Sequence, residues 1–357
     1  MATPKLNVDL LKRLCETPGI PGREERVRAL IKGEIKGLFD EVREDAMGNL
    51  ICLRKARAGA KSRGRATRVM MLCHMDEIGF YVKAIDAQGF IRCNAAGGFD
   101  TRNLFSRRVL VCTDGGDLKA VMNPGGRPVH IASEEDKKKI PEVKEFLVDV
   151  GLPADKVKKL VRIGDYVVKD EPLIEVGDKL VSKAMDNRIA CWLGIESVRQ
   201  IHAAGAKHAC DIYVSFTVQE EVGIRGAHTS SFSVEPDIGI GLDVTLSCDM
   251  PGVPSDECVT VQGKGFGLHV MDSSFIADYR LVNEVEAIAK KSRIPYQRTI
   301  LARGGQDGAA AQQARGGARA LGIVVGTRYI HTVTEMVSKV DLAAARDVLA
   351  AWVPTIK

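Results

Sequence analysis

Short apolar runs alternate with amphipathic helical patterns along most of this chain, and this alternation limits its possible folds more than any other feature. Strand-like runs cover 49–53, 68–73, 211–218 and 237–244, helical spacing covers 8–35, 188–201, 282–291 and 341–352, and a glycine-, lysine- and arginine-rich turn covers 56–66. Apolar runs such as Val69 to Cys73 and Leu321 to Val325 are far too short to cross a bilayer. Alternating strands and helices predict an α/β fold, and the run at 237–244 is apolar enough for a sheet covered on both faces.

The segment from about 78 to 176 has a different pattern. Short β-like runs at 80–85, 90–93, 108–112 and 118–122 are separated by glycine-rich turns. Ser133 is a candidate N-cap for a short helix, with Asp136 three residues later. We therefore predict one discontinuous α/β domain, formed by 1–77 and 177–357, that is interrupted by a small β-rich domain at 78–176.

Composition excludes several classes of protein. The 357 residues are 45% hydrophobic and 27% charged, which excludes a wholly disordered chain. The net charge of +5 is small for this length and the charges are interspersed, so a nucleic-acid partner is not expected. The nine cysteines are odd in number and include no Cys-x-x-Cys pair, and the N-terminus has no apolar signal-like stretch. This pattern predicts reduced thiols in a cytoplasmic protein that has no membrane partner.

Candidate chemical residues follow several of the predicted strands or precede a helix. They lie in the segments His74-Met-Asp-Glu-Ile-Gly79, Lys183-Ala-Met-Asp-Asn-Arg188, Val218-Gln-Glu-Glu-Val-Gly223, Gly239-Ile-Gly-Leu-Asp-Val-Thr245 and Thr327-Arg-Tyr-Ile-His-Thr332. Each segment alone also has a structural explanation: an exposed turn, a helix N-cap, an acidic turn, a solvated strand end or a surface histidine. The other histidines have no comparable setting, and His202 and His208 are expected to face solvent near the end of the predicted helix.

Taken together, these segments favour a metal site. Open α/β sheets place their sites at the carboxyl edge of the strands, where two histidines and three carboxylates would meet: His74, Asp186, Glu221, Asp243 and His331. That set suits two adjacent divalent cations that share one carboxylate, as in two-metal hydrolases. Because adjacent strand residues point to opposite sides, one of Glu220 and Glu221 could ligate a metal while the other faces the substrate as a base. Mixed imidazole and carboxylate ligands favour zinc, with cobalt or manganese as alternatives.

Further segments complete an ordered set of motifs that runs through the whole chain. The set consists of Glu16-Thr-Pro-Gly-Ile-Pro-Gly-Arg-Glu-Glu25, Asp45-Ala-Met-Gly-Asn-Leu50, His74-Met-Asp-Glu-Ile-Gly79, Ala184-Met-Asp-Asn-Arg188, Gln219-Glu-Glu-Val-Gly223, Leu242-Asp-Val-Thr245, Gly304-Gly-Gln-Asp307 and Arg328-Tyr-Ile-His331. With these motifs the chain resembles the M42 metallo-aminopeptidases, the tetrahedral or TET peptidases, some of which have carried an endoglucanase label. The resemblance implies a dinuclear aminopeptidase-like catalytic domain, a mixed sheet flanked by helices. It also implies that 78–176 mediates dimer contacts and that dimers assemble into a tetrahedral dodecamer.

The resemblance implies a ligand role for five of the matched residues. Asp186 would bridge two divalent metal ions. His74 and Asp243 would complete one metal site. Glu221 and His331 would complete the other.

The resemblance also implies roles for three matched residues that are not ligands. Glu220 would be the general base that acts on a metal-activated water, and Asp76 would orient the ligand His74. Asp307 is a candidate residue of the substrate pocket, although Gln306 stands where family members often have threonine.

The implied activity is the removal of N-terminal residues from short peptides, and two other functions stay open. A glycoside hydrolase needs two carboxyl groups across the sugar bond, but Glu220 and Glu221 would diverge and the histidines would have no role. A catalytically inactive, self-assembling binding protein is the third possibility, against which the complete ligand set argues. The sequence does not decide between acidic, basic and neutral N-terminal residues of the substrate.

Overall fold

The computed structural model describes residues 4–57 and 65–357, so most of the turn predicted at 56–66 lies outside the described residues. The helices are α1 Val8–Glu16, α2 Glu25–Glu34, α3 Glu134–Lys138, α4 Ala154–Leu160, α5 Met185–Ala203, α6 Arg225–Val234, α7 Tyr279–Ser292, α8 Gly308–Gln313 and α9 Lys339–Trp352. The strands up to residue 124 are β1 Glu41–Glu44, β2 Leu50–Arg54, β3 Arg68–His74, β4 Gly79–Ile85, β5 Ile91–Ala96, β6 Arg107–Thr113 and β7 Gly116–Pro124. The later strands are β8 Phe146–Asp149, β9 Tyr166–Lys169, β10 Ile174–Val176, β11 Lys179–Ser182, β12 Asp211–Thr217, β13 Ile238–Leu246, β14 Phe266–Met271, β15 Tyr296–Ile300, β16 Arg319–Arg328 and β17 Glu335–Ser338.

A large mixed sheet forms the centre of the fold. Its strand order is β1-β2-β12-β3-β13-β16-β17-β11-β10, with β14 paired to β16 and β15 paired to β14. The central strands β12, β3, β13 and β16 are parallel, and most of the strands that flank them pair antiparallel. The predicted α/β class with a mixed sheet flanked by helices is therefore confirmed.

Strand β3 shows how the two faces of the sheet are buried. Val69, Met71 and Cys73 belong to the main core, which α1, α2, α5, α7 and α9 cover. Met70 and Leu72 point to the opposite face and pack with residues of α6 and α8. Because successive strand residues alternate between faces, a continuous apolar run is what a strand covered on both sides requires.

The β-rich segment forms a closed barrel with the strand order β4-β5-β8-β7-β6-β9. Its separate core includes Phe80, Val82, Val109 and Val111. The predicted helix at Ser133 is α3, and a capping box with Asp136 is present. Strands β8 and β9 were not predicted, and β10 pairs in the large sheet rather than in the barrel. Treating 78–176 as one dimerisation domain stays a prediction.

The helices predicted from hydrophobic spacing are present, but one histidine was placed wrongly. His202 is exposed as expected, whereas His208 is only 1% exposed. The Nδ1 atom of His208 lies 2.8 Å from the carbonyl oxygen of Cys210, so this ring is a buried partner of the backbone. Among the residues that the structure describes, no helix combines the length and the apolar character needed to cross a membrane.

Candidate dinuclear metal centre

The parallel strands bring the candidate ligands to one edge of the large sheet. His74 is the last residue of β3 and pairs with Thr217, the last residue of β12, so the glutamates that follow Thr217 emerge beside His74. The register of β13 on β3 puts Asp243 level with His74. His331 lies three residues beyond the end of β16. Sequence-distant side chains therefore meet where parallel strands end.

Two groups of potential ligand atoms meet at this edge and share one carboxylate. The first consists of His74, Asp186 and Asp243, and the second of Asp186, Glu221 and His331. His74 Nε2 lies 3.3 Å from Asp186 Oδ1, and His331 Nε2 lies 3.3 Å from Asp186 Oδ2. His331 Nε2 is also 3.5 Å from Glu221 Oε2. The two carboxylate oxygens of Asp186 thus face different histidines, as a bridging carboxylate would.

The backbone at the start of α5 delivers Asp186 to this position. The predicted helix begins at Met185 rather than at Arg188, and the backbone of Asp186 and Asn187 is non-helical. Asn187 Oδ1 accepts a hydrogen bond from the N–H of Ala190 at 3.0 Å, so Asn187 caps the regular part of the helix. Asp186 is not needed as a cap, and its carboxylate is available to the two histidines.

Glu220 and Glu221 lie in a turn after β12, not in the strand, so the alternation of strand residues does not govern them. Both side chains point into the site: Glu220 Oε2 is 3.8 Å from His74 Nε2, and Glu221 approaches His331. The turn is fixed by Asp76, whose Oδ1 and Oδ2 accept the N–H groups of Glu220 and Glu221 at 3.1 and 3.0 Å. The strand alternation from which their divergence was expected does not apply here, because a turn replaces the strand, and the separate roles of the two glutamates stay a prediction.

Asp76 also lies beside His74. The Nδ1 atom of His74 is 3.1 Å from the carbonyl oxygen of Asp76 and 3.5 Å from its carboxylate. One buried residue therefore contacts the ring nitrogen of a candidate ligand and holds the turn of the two glutamates. Its orienting role toward His74 remains a prediction, and the backbone carbonyl is the nearer partner.

The protonation of the carboxylates reflects a crowded and buried site. Burial raises the pKa of Glu220, Glu221 and Asp243 well above the usual carboxyl range, and neighbouring carboxylates add to this effect while His74 opposes it. Burial would also raise the pKa of Asp186, but hydrogen bonds from His331 and His74 outweigh it and lower that pKa.

This donor set fits divalent cations. Within the described chain, the buried Oε1 of Glu221 has no hydrogen-bond partner. Buried carboxylates that lack a partner are costly unless a positive charge is near, and cations with oxygen and imidazole ligands would supply it. His331 keeps 33% of its side chain exposed, so the site is open to solvent on that side.

A charged layer beneath the site was not predicted. Glu335 is 1% exposed and accepts the N–H groups of His331 and Asp186, at 2.7 and 3.1 Å. Lys169 of the barrel donates to the carbonyl oxygen of Thr332 at 3.0 Å. Burial lowers the pKa of Lys169, and the carboxylate of Glu335 opposes this effect. Nothing in the local sequence distinguishes Glu335 from a surface glutamate, because its partners come from other segments.

A buried ion pair joins two of the candidate segments, 74–79 and 183–188. Lys183 Nζ donates to both carboxylate oxygens of Glu77, at 2.7 and 2.8 Å, and both side chains are almost fully buried. Arg188 lies 3.4 Å from Glu77 and also donates to the carbonyl oxygen of Met75. The sequence could have pointed to this ion pair, because Glu77, Lys183 and Arg188 all lie in the candidate segments 74–79 and 183–188.

Asp307 lies under the site and not at an open wall. It is 1% exposed and accepts a hydrogen bond from the hydroxyl of Thr217. Burial raises the pKa of Asp307 to about 6. This position favours a supporting contact over a substrate contact, and the substrate role assigned to Asp307 stays a prediction.

Comparison with known proteins gives consistent matches over nearly the whole chain. The sequence model described as M42 glutamyl aminopeptidase matches residues 48–348. A putative aminopeptidase of Acetivibrio thermocellus is 34% identical over 335 residues, which cover 94% of this chain and 94% of that protein. The crystal structure of a TET aminopeptidase from a marine-sediment Thaumarchaeota archaeon superposes with a TM-score of 0.91 at 32% identity, covering 98% of this chain and 96% of that one. A Pyrococcus horikoshii TET1 peptidase, described as able to assemble into a tetrahedron or a large octahedral shell, gives a TM-score of 0.84 at 27% identity, with 96% and 98% coverage.

Proposed function

Because the chain belongs to the M42 glutamyl aminopeptidase family and is therefore a peptide hydrolase, we propose that it removes N-terminal residues from short peptides with a dinuclear metal centre. One observation carries this proposal: two groups of imidazole and carboxylate ligands share Asp186, and the free carboxylate of Glu220 lies beside them. A single shared carboxylate between two ligand groups is the arrangement that a pair of adjacent cations needs.

The proposed ligands divide between two ions. His74 and Asp243 would hold one, Glu221 and His331 the other, and Asp186 would bridge them. Zinc fits the mixed imidazole and carboxylate donors best, and cobalt or manganese could replace it. When bound, two such ions supply Lewis-acid polarisation of the scissile carbonyl, a lowered pKa for water and an anchor for the free amine of the substrate.

Glu220 is the proposed general base. Its carboxylate takes a proton from the attacking water and then gives that proton to the nitrogen of the leaving peptide, so the proton lost by the nucleophile ends on the leaving group. Asp76 supports this role because it holds the backbone N–H of Glu220 in place.

The proposal is tested with aminoacyl p-nitroanilides and aminocoumarins and with the same substrates carrying an N-acetyl group. We expect hydrolysis of free-amine substrates only, its loss after chelation, and its recovery with added zinc, cobalt or manganese. Hydrolysis of blocked substrates alone would overturn the aminopeptidase assignment. Release of reducing sugar from cellulose by metal-free protein would instead favour the glycoside hydrolase.

We also propose that the chain forms a homo-oligomer, with dimers assembling into a tetrahedral dodecamer. The assembly described for the structurally similar TET1 peptidase supports this, as do exposed apolar residues on the barrel segment, among them Val129, Ile131, Ile140 and Ile163. Light scattering should detect a particle of twelve 38.7 kDa chains, and a stable monomer would contradict it. The nine cysteines are free, which supports a cytoplasmic location.

A further inference from the structure

The turn that carries the proposed base is held by side chains from three separate segments of the chain. Each of the four successive backbone N–H groups at 218–221 donates to one of these side chains. The pairs are Val218 with Asn49 Oδ1 at 3.0 Å, Gln219 with Glu24 Oε1 at 3.0 Å, Glu220 with Asp76 Oδ1 at 3.1 Å and Glu221 with Asp76 Oδ2 at 3.0 Å. These contacts account for the motifs at 16–25 and 45–50, which contribute no ligand to either metal group.

Glu24 makes the contact next to Glu220. It is 3% exposed, and one of its two carboxylate oxygens, Oε1, accepts the N–H groups of both Gly22 and Gln219, at 2.8 and 3.0 Å. Gln219 has a φ of +57°, a left-handed conformation that residues other than glycine seldom adopt without support. Glu24 therefore fixes the residue whose backbone conformation sets the direction in which Glu220 leaves the strand.

Asn49 anchors the start of the same turn. It is fully buried, and its Nδ2 donates to the carbonyl oxygen of Gly226 at 3.0 Å and to Asp45 Oδ2 at 2.6 Å. Asp45 Oδ1 in turn accepts the N–H groups of three residues of its own loop. The loop at 45–49 is thus a preformed support that meets the chain at Val218, one residue before the contact of Glu24.

We propose that Glu24 is a positioning residue for the general base: by accepting the N–H of Gln219 it holds Glu220 at the distance at which its carboxylate can reach the attacking water. This inference rests on the proposed role of Glu220. The contact needs an acceptor oxygen at this place and does not need a negative charge, because one oxygen receives both N–H groups. Glutamine has the same length and a carbonyl oxygen, so it should serve as well as glutamate, whereas methionine has the length without the acceptor.

The test compares Glu24→Gln and Glu24→Met in the metal-loaded enzyme. Misplacing a catalytic group by about 1 Å costs up to about 100-fold in rate, so we expect Glu24→Met to lower kcat by about 10- to 100-fold. KM should stay within about twofold of the wild type, because substrate binding does not use Glu220. Metal content, measured by mass spectrometry of the dialysed protein, should remain that of the wild type. Glu24→Gln should keep kcat within about threefold, which a requirement for the charge would not allow.

Glu25→Met is the matched control. Glu25 is the next residue and its side chain is 45% exposed. Among residues 4–57 and 65–357 its one ion-pair partner is Arg23, at 3.1 Å, so its loss should leave kcat unchanged. If Glu24→Met does not fold, Glu24→Asp replaces it, since a side chain one methylene shorter cannot reach both N–H groups.

Three results would overturn the inference: an unchanged kcat in Glu24→Met or Glu24→Asp, a loss of kcat that follows a loss of metal, or an equal loss in Glu24→Gln. If the wild-type enzyme cleaves no free-amine substrate, the proposed function fails instead, so the two failures are distinguishable.

Discussion

Without bound metal, the stability of this protein should fall as the pH rises from 5 to 8. Burial raises the pKa of Glu335 to about 7 and that of Asp307 to about 6, and it also raises the pKa values of Glu220, Glu221 and Asp243. Between the pKa of the unfolded chain and these raised values, the folded state holds more protons than the unfolded state. The free energy of unfolding therefore decreases as the pH rises through this window.

Glu335 and Asp307, which lie next to the site, set the magnitude. For Glu335 and for Asp307, the difference in pKa between the folded and the unfolded chain corresponds to about 3 kcal/mol. The free energy of unfolding of the metal-free protein should therefore fall by several kcal/mol between pH 5 and pH 8. For a chain of this size that loss lowers Tm by on the order of 10 °C. A bound cation should restore about 4 kcal/mol at 1,000 times its Kd. It should restore more at pH 8 than at pH 5, because it competes with protons for the proposed ligands Glu221 and Asp243, whose pKa values are raised.

The assay is differential scanning calorimetry of chelated protein at pH 5, 6, 7 and 8, with and without added manganese. Glu335→Gln should remove about 3 kcal/mol of the pH dependence, because the amide cannot ionise. Glu41→Gln, at an exposed side chain of β1, should leave the pH dependence unchanged. A Tm of the chelated protein that rises with pH would show that the buried carboxyls do not set the pH dependence of stability. An increase in Tm on metal binding that is equal at pH 5 and pH 8 would show that the metal does not compete with their protons.

Three further substitutions test the shared ligand, the buried ion pair and the support of the turn at 218–221. Asp186→Ala should abolish tight binding of both ions in isothermal titration calorimetry, and one ion retained at full affinity would disprove a shared ligand. Lys183→Met removes the closer partner of the buried Glu77 and leaves Arg188 at 3.4 Å. Urea unfolding should show that the free energy of unfolding falls by about 3–5 kcal/mol, and an unaltered midpoint would contradict a stabilising buried pair. Gly226→Ala places a methyl group 2.3 Å from Asn49 Oδ1, which should cost about 1–3 kcal/mol and lower kcat; full stability and activity would show that Asn49 does not constrain the turn.

The sheet and the grouping of the candidate ligands could be predicted because both follow from local pattern. The apolar run of β3 alternates between two buried faces, and His74 stands at its end. Asp243 lies in a run of the same kind, and parallel strands end at one edge. The meeting of His74 and Asp243 therefore follows from the strand pattern, whereas Asp186 reaches them from the start of α5.

The rest depends on contacts between distant segments. Strands β8 and β9 are four residues long, and their place is set by closure of the barrel rather than by their own sequence. The turn at 218–221 is held by hydrogen bonds to Glu24 and Asp76 from distant segments, so strand alternation does not describe Glu220 and Glu221. Burial of Glu335 and His208 cannot be inferred from residue type, because each is buried by partners that lie elsewhere in the chain.

The proposed aminopeptidase needs two cations that share Asp186 and the carboxylate of Glu220 beside them. The most direct measurement is metal content and peptidase activity of wild type and Glu220→Gln, prepared in parallel and loaded with zinc or cobalt. We predict two ions per chain in both proteins and a loss of about 100- to 10,000-fold in kcat for Glu220→Gln on free-amine substrates. Full activity in Glu220→Gln would contradict Glu220 as the general base, and an active wild-type enzyme that binds a single ion per chain would contradict a dinuclear centre.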